Sequence, residues 1–329
     1  MQATGLIDRI RFGLVCIFWL SLSLTPGVGL GQTATLPSVI RMVVPFTPGA
    51  SNDVFARALS EQLSTKLGIT VIVENKPGAG GIIGSAEVAR AKPDGATLLF
   101  SSNSFVTRAA VEEKLPFDPR KSFTPVAMVA QGPMLLVVGN ETPYQNVKEL
   151  ITAAKTQQIN YGSAGIGSIG QMSAELFNSM AGVNMNHVPY KGITGVLTDM
   201  IGGRIETMIT APASIGGALK GKQIRAIAVT SAVPSPFFPD LPTVSKDLPG
   251  YEVDVWFGVY APANMPVILT EALNQAIREV SATPRMREVL AKEASSPSDM
   301  TVKEFTAYVD RELDMWVKLA KARGIKHAE

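Results

Sequence analysis

The groups this chain gathers at the ends of its apolar runs are hydroxyls, amides and backbone N–H groups. Imidazoles and thiols are scarce: there are two histidines, His187 and His327, and one cysteine, Cys16. Cys16 lies in an apolar run near the start, so no thiol nucleophile, disulfide or cysteine metal ligand is expected in the remainder. Two histidines so far apart do not supply a zinc site. No GxSxG elbow is present. His187 could act as a base, but a lone histidine at a strand end reads first as structural. No pair of carboxylates is marked for glycosidic chemistry, though spacing alone leaves it open.

Phosphate chemistry fares little better. Gly165-Ile166-Gly167-Ser168-Ile169-Gly170 fits GxGxxG between a strand and a helix. The dinucleotide reading also needs an acid about twenty residues on to hold a ribose. That stretch reads "NMNHVPYK", with no acid. Gly216 to Lys222 approaches a phosphate-binding loop, but Gln223 stands where a Ser or Thr must hold magnesium, and a solvated turn is the simpler expectation.

Three loops share one design: "PFTPGASND" (Pro45–Asp53), "KPGAGGIIG" (Lys76–Gly84) and "GSAGIGSIG" (Gly162–Gly170). Each is rich in small residues and opens a helix. Each could be no more than a tight turn, and for the middle loop that reading weighs as much as binding. The outer two add hydroxyls to backbone access: Ser51, Asn52 or Asp53 can cap one helix, and Ser163 and Ser168 flank the other. A helix N-terminus contributes about 0.3–1 kcal/mol to an anion, whereas a micromolar ligand needs about 8 kcal/mol. Four to six hydrogen bonds to a charged group, at roughly 1.5 kcal/mol each, reach that range. A carboxylate would therefore need loops from two sides.

The elements that must position these loops alternate. "VIRMVVPF", a helix over 54–67, "TVIVEN", a helix near 82–91 and "ATLLFSS" form a βαβαβ series, which favours a parallel sheet. Gly68 closes the first helix. A loop-rich segment follows, and a second series opens with a capped helix at Asn146–Glu149. A late strand, "VDVWFGVYAPA", and C-terminal helices end the chain, the last capped by Thr301 and Glu304. The expected division is residues 1–31 as a leader, 32–131 as one lobe, 132–256 as a second, and 257–329 returning to the first. Arg9 and Arg11, the apolar run 12–24 and small residues at Gly29 and Gly31 read as a secretory signal cleaved after Gly31. The net charge of +2 and the lack of a basic stripe argue against nucleic acid.

These loops and their order resemble the extracytoplasmic solute receptors of tripartite tricarboxylate transporters, the Bug-type binding proteins. The matching pieces include "IRMVVPFTPGASNDVFAR", "VIVENKPGAGGIIGSAEVARAKPDGATLLFSS", "NYGSAGIGSIGQMSAELFNSMAGV", "HVPYKG" and "LPGYEVDVWFGVYAPANMP", spread over about 40–325. The resemblance implies an α/β, two-lobed type II periplasmic binding protein fold with a ligand cleft between the lobes. It implies a periplasmic protein without catalysis, cofactor or metal, acting as a monomer. Its task would be to capture a small organic carboxylate for membrane permease subunits. Presentation of the ligand to a membrane sensor kinase, or an exported hydrolase, are the rival readings. Carried over from the family, one jaw is Phe46, Thr47, Ala50, Ser51, Asn52 and Asp53, with Ser101, Ser102 and Asn103 beside it. The other is Ser163, Ala164, Gly167 and Ser168, with Thr210 and Ala211 at the distal end of the ligand. Relative to the family pattern, Thr47 replaces a common proline, Ala50 a common glycine and Gln171 a frequent histidine. Thr210 stands where many relatives carry an aspartate, which implies an aromatic or aliphatic acid without a cationic amine.

Overall fold

The structure is a computed structural model that describes residues 35–327. The expected leader, with Cys16, lies outside the described residues. In chain order the strands are β1 Val39–Val44, β2 Thr70–Asn75, β3 Thr97–Ser102, β4 Phe123–Pro133, β5 Leu135–Gly139, β6 Asn160–Ser163, β7 Asn186–Pro189, β8 Thr207–Thr210, β9 Ile224–Val229, β10 Asp254–Pro262 and β11 Ser296–Pro297. The helices are α1 Ser51–Leu67, α2 Ile82–Ala89, α3 Ser104–Val111, α4 Val147–Ala154, α5 Ile169–Ala181, α6 Ile193–Ile201, α7 Gly216–Lys220, α8 Val267–Ser281, α9 Pro284–Ala291 and α10 Val302–Arg323.

Two sheets result, in the orders β11-β4-β10-β3-β1-β2 and β7-β6-β8-β5-β9. In the first, β1 pairs in parallel with β2 and β3, and β10 lies antiparallel between β3 and β4. The second repeats the plan: β6 is parallel to β7 and β8, and β5 runs antiparallel to β8. The chain passes between the sheets twice, at Met134 and again between β9 and β10. The two crossings are tied together. Met134 N–H donates to Thr230 Oγ1 at 2.8 Å, Thr230 N–H to the Met134 carbonyl at 3.0 Å, and Val253 N–H to the Thr230 carbonyl at 3.0 Å.

The apolar patterns explain the layers. In β5 successive side chains alternate faces, so Leu135 and Val137 join one buried cluster with Val196, Met208 and Ile224. Leu136 and Val138 point the other way, into the larger core with Tyr161, Phe177 and Trp256. A strand buried on both faces reads as one unbroken apolar run, which "LLVV" is. Phe55, Leu59 and Leu63 form the buried stripe of α1, and Gly68 caps it in the left-handed region, its N–H bonded to the Ser64 carbonyl at 3.0 Å. The expected caps at Asn146 and Thr301 are in place, the latter as a full capping box. Two local expectations are corrected. The helix α3 was not anticipated, because its sequence continues the polar end of β3 and carries only two turns. The stretch around Gly216–Lys220 is a short helix rather than a turn, because Ala218 is buried against Ile224 and its neighbours.

Candidate functional site

In a parallel α/β sheet, ligands favour the crevice at the carboxyl ends of the strands where successive connections leave in opposite directions. Each sheet here has one such point. From β1 the chain moves to β2 on one side and then returns to β3 on the other, so the crevice lies between the ends of β1 and β3. In the second sheet β6, β7 and β8 repeat this, with the crevice between β6 and β8. The four strand ends carry Phe46–Asp53, Ser101–Asn103, Ser163–Ser168 and Thr210–Ala211, the segments nominated from sequence.

The first loop is built around Asp53. Its Oδ2 accepts the Gly49 N–H at 2.9 Å, and its Oδ1 accepts Asn75 Nδ2 at 2.9 Å. Arg57 completes the set at 2.9 and 3.0 Å. Burial alone would raise the Asp53 carboxyl. Hydrogen bonds from Arg57, the Gly49 N–H and Asn75 outweigh it and hold the group below the usual carboxylate range. Gly49, at φ +86°, makes the turn, and Ala50 occupies the N-cap without a side-chain bond. The expected capping by Ser51, Asn52 or Asp53 is thus corrected: all three lie inside the first turn, and Asp53 staples the loop from within. Of their N–H groups, that of Asp53 donates to the Ala50 carbonyl at 2.9 Å, while those of Ser51 and Asn52 are among the ones an α-helix leaves without intrahelical acceptors. Ser51 Oγ donates to Glu293 at 2.8 Å, and Asn52 Oδ1 is buried without a protein partner. Thr47 is exposed and Ala50 half-buried.

At the end of β3, Ser101 and Ser102 are buried, and Ser102 Oγ donates to Ser104 Oγ at 3.2 Å. Asn103 is wholly buried. It is held by its N–H on the Trp256 carbonyl at 3.1 Å and its Nδ2 on the Asp254 carbonyl at 2.9 Å, while Oδ1 has no protein partner.

The second loop is fixed by Gln171 and His187. Gln171 Oε1 accepts the Gly167 N–H at 2.7 Å, so its amide nitrogen faces His187 Nδ1 at 3.2 Å. That nitrogen must then accept, which leaves Nε2–H to donate to Ser163 Oγ at 2.7 Å. The Ser163 hydroxyl also receives the Gly165 N–H at 3.1 Å. Burial lowers the His187 pKa, which keeps the ring neutral, and it stacks on Tyr161 at 4.9 Å. The arrangement has the outline of a serine–histidine–amide triad with the polarity reversed: the histidine gives the serine a proton to share and cannot take one. Ser163 is fully buried, whereas Ser168 N-caps α5 by accepting the Gln171 N–H at 3.4 Å. Ala164 is exposed, Gly167 buried at φ +77°, Thr210 buried, and Ala211 half-buried.

A small recess, with a cavity volume of about 10 Å³, opens beside the first crevice. Of the nominated residues it takes Phe46 and Ser101. Gly80 and Gly81 from the middle loop, Ser85 from α2, and Ser104 and Arg108 from α3 complete its polar and backbone lining. A Cβ on Gly81 would lie 3.6 Å from Phe46, and one on Gly80 would lie 3.3 Å from Arg108 Nε. Arg108 in turn donates to the Ile166 carbonyl at 3.2 Å, so the recess adjoins the second loop. Arg108, Ser104 and Ser85 were missed from sequence. The middle loop's glycines were a signal; Arg108 had none, because α3 was not anticipated. Among the described residues, no group of His, Cys, Asp and Glu could hold a metal, and no helix is long and apolar enough to cross a membrane.

Known proteins agree with this architecture. A UPF0065 protein of Bordetella bronchiseptica is 39% identical over 259 residues, 78% of this chain and 77% of its own. Among solved structures, the periplasmic binding protein BugD superposes with a TM-score of 0.72 at 31% identity, covering 88% of this chain and 98% of its own. The structure described as R. palustris Rpa4515 with adipate gives a TM-score of 0.77 at 32% identity, covering 89% and 99%. The expected two-lobed periplasmic binding fold is thereby met. Residues 55–325 match the sequence pattern described as "Tripartite tricarboxylate transporter family receptor", and the chain belongs to that family, TctC, the Bug-type receptors.

Proposed function

We propose that this protein is a periplasmic solute receptor that captures a small organic carboxylate between its lobes and hands it to a tripartite permease. The observation that carries the reading is the doubling of one arrangement: each sheet offers a helix-opening, glycine-bearing loop at its switch point. The N–H groups of Ser51 and Asn52 at the start of α1 and of Ile169 and Gly170 at the start of α5, with the amide oxygens of Asn52 and Asn103, which receive no protein donor, as anchors for bridging water, meet the need of a carboxylate for donors from two sides. The nominated residues from Phe46 to Ala211 are the proposed contacts. Within this set Ser163 acts through its backbone surroundings, since its hydroxyl is engaged.

The ligand is proposed to lack a cationic amine. Asp53 is the one acid among the nominated residues, and its carboxylate is already occupied by Gly49, Arg57 and Asn75. Thr210 offers no charge. An ammonium group would be desolvated without a counter-charge, which is costly. Adipate, named with a structural neighbour, is a diacid of this type. The hydrolase alternative has one point in its favour, the 2.7 Å contact of Ser163 with His187, but its hydrogen-bond direction supplies no base.

Native mass spectrometry of the protein purified from the periplasm, followed by calorimetry with adipate, aspartate and glutamate, tests the reading. A retained or added amine-free acid, recovered unchanged, is expected. Tight aspartate or glutamate binding, or turnover of the acid, would overturn it.

A further inference from the structure

The face of α3 toward the second loop carries a side chain that carboxylate capture does not require. Arg108 is largely withdrawn from water, its side chain 16% exposed. Its Nε and Nη2 grip one oxygen of Glu112 at 3.0 and 2.9 Å, a pairing set by the four-residue spacing along the helix. Its Nη1 reaches the Ile166 carbonyl at 3.2 Å, in the middle of the glycine loop that opens α5. This bond joins the first-sheet half of the molecule to the second at the proposed binding loop.

The surroundings are cut to fit the guanidinium. Gly80 lies on one side, where a Cβ would stand 3.3 Å from Nε. Gly167 lies on the other, where a Cβ would stand 2.5 Å from Val111 Cγ2 and 3.5 Å from Arg108 Cδ. Both glycines have positive φ, so a side chain there is disfavoured twice over. The far end of α3 is held as well. The His327 N–H donates to the Val111 carbonyl at 3.0 Å, and its Nδ1 lies 3.4 Å from the same Glu112 oxygen.

We propose that Arg108 is a positioning residue that latches α3 onto the Gly165–Ser168 loop and stabilises the closed arrangement of the lobes, with Glu112 holding the guanidinium in place. The paired Glu112 offsets the cation's pull on an anion, and its Nε, Nη1 and Nη2 are all engaged by protein oxygens. Its effect is therefore on the loop rather than on the ligand. An ion pair between the halves, Arg323 with Glu175 at 2.7 Å, joins α10 to the body of α5 and does not touch the loop. The inference rests on the carboxylate reading only in identifying the crevice that closes.

The test can be read without ligand. Cys16 is the only cysteine, so in a Cys16→Ser background spin labels at Ile83→Cys on α2 and Ile201→Cys on α6, both exposed, report the distance between halves. Arg108→Gln is expected to shift the closed-to-open ratio toward open by about tenfold or more. Arg108→Lys, which keeps one donor for the Ile166 carbonyl, should recover part of the shift. Glu112→Gln should give a smaller shift in the same direction. Unchanged distance distributions in folded Arg108→Gln would overturn the proposal. So would a loss of adipate affinity with no change in the distributions, which would make Arg108 a ligand contact. If the parent protein neither retains nor binds any amine-free carboxylic acid while Arg108→Gln still opens it, the latch stands and the carboxylate reading falls.

Discussion

Removing the Asp53 carboxylate should loosen the Phe46–Asp53 loop and lower stability together. Asp53 has a side chain only 5% exposed and collects donors from three residues. Arg57 is 52% exposed, so its share is screened and contributes little, about 0–1 kcal/mol. The Gly49 N–H and Asn75 Nδ2 are the donors that matter, each bonded at 2.9 Å to a charged acceptor. At roughly 1–2 kcal/mol each, Asp53→Ala should cost about 2–4 kcal/mol. Asp53→Asn keeps one amide oxygen as acceptor and should cost about half as much. Urea unfolding at pH 7 measures both. The acid limb gives an independent check. The folded pKa is depressed below the ordinary 3.8, so the native state binds its proton later than the unfolded chain. The stabilisation is complete above the unfolded value and is lost as pH falls from there through the folded value. Asp53→Ala should therefore approach the parent protein in stability below about pH 3.8 and diverge above it. A cost under about 0.5 kcal/mol at pH 7, or a constant difference across that range, would refute the staple.

On the proposed carboxylate reading, Gly167→Ala should weaken binding of the amine-free acid the parent protein takes by about tenfold or more. It forces an alanine to φ +77° at roughly 1 kcal/mol and drives a methyl to 2.5 Å from Val111 Cγ2. The paired change Val111→Ala should restore part of the affinity by removing the clash, and calorimetry showing no recovery would remove that contact from the explanation. Asp254 is a different case. Burial first, then Glu252 and Glu312, push its carboxyl up to about 7, and its Oδ1 has no protein partner. A raised folded pKa means that the native state holds a proton the unfolded chain releases, so stability falls as pH rises from about 4 to about 7. Asp254→Asn should flatten that slope and add about 1–3 kcal/mol at pH 8 by thermal or urea unfolding. An unaltered pH profile would contradict it.

Much of this was legible because apolar periodicity, caps and glycines act locally. The stripe Phe55, Leu59, Leu63, the cap at Asn146 and the box at Thr301 need only neighbouring residues to form. The loops at the two switch points were visible for the same reason: small residues between a strand and a helix leave few other structures open. What stayed hidden depends on contacts distant in sequence. The two turns of α3 are stabilised by packing of Phe105 against Phe117, Phe123 and Tyr260 rather than by any sequence signature. With the helix unseen, Arg108 could not be placed. The direction of the Ser163–His187 bond likewise hangs on Gln171, 16 residues from His187, and on a backbone N–H at Gly167 that no side-chain pattern reveals.

The joint between the halves bears on how such loops can serve a receptor. Both crossings meet at one spot, where Met134 and Thr230 exchange hydrogen bonds and Val253 joins them. The bonds on Thr230 continue the pairing of β5 with β9, so breaking them would disturb the second sheet. Pro133 and Asp254 pair with each other in the first sheet, so an opening that leaves both sheets intact must pivot at the backbone between that pair and this knot, at the Pro133–Met134 and Val253–Asp254 links. Asp254 is where the chain re-enters the first sheet, and its carbonyl receives the Asn103 amide from the end of β3. Hinge, candidate crevice and a buried acid without a protein partner for its Oδ1 are therefore mechanically continuous. A rotation at Asp254 reaches Asn103 through one hydrogen bond, whereas the Arg108–Ile166 bond resists the same rotation from the opposite end of α3. A single charge-assisted hydrogen bond is worth about 1.5–3 kcal/mol, enough to bias an open–closed equilibrium by one to two orders of magnitude. A ligand held between the lobes acts in the same direction, and it moves the equilibrium further only by its differential affinity for the closed arrangement.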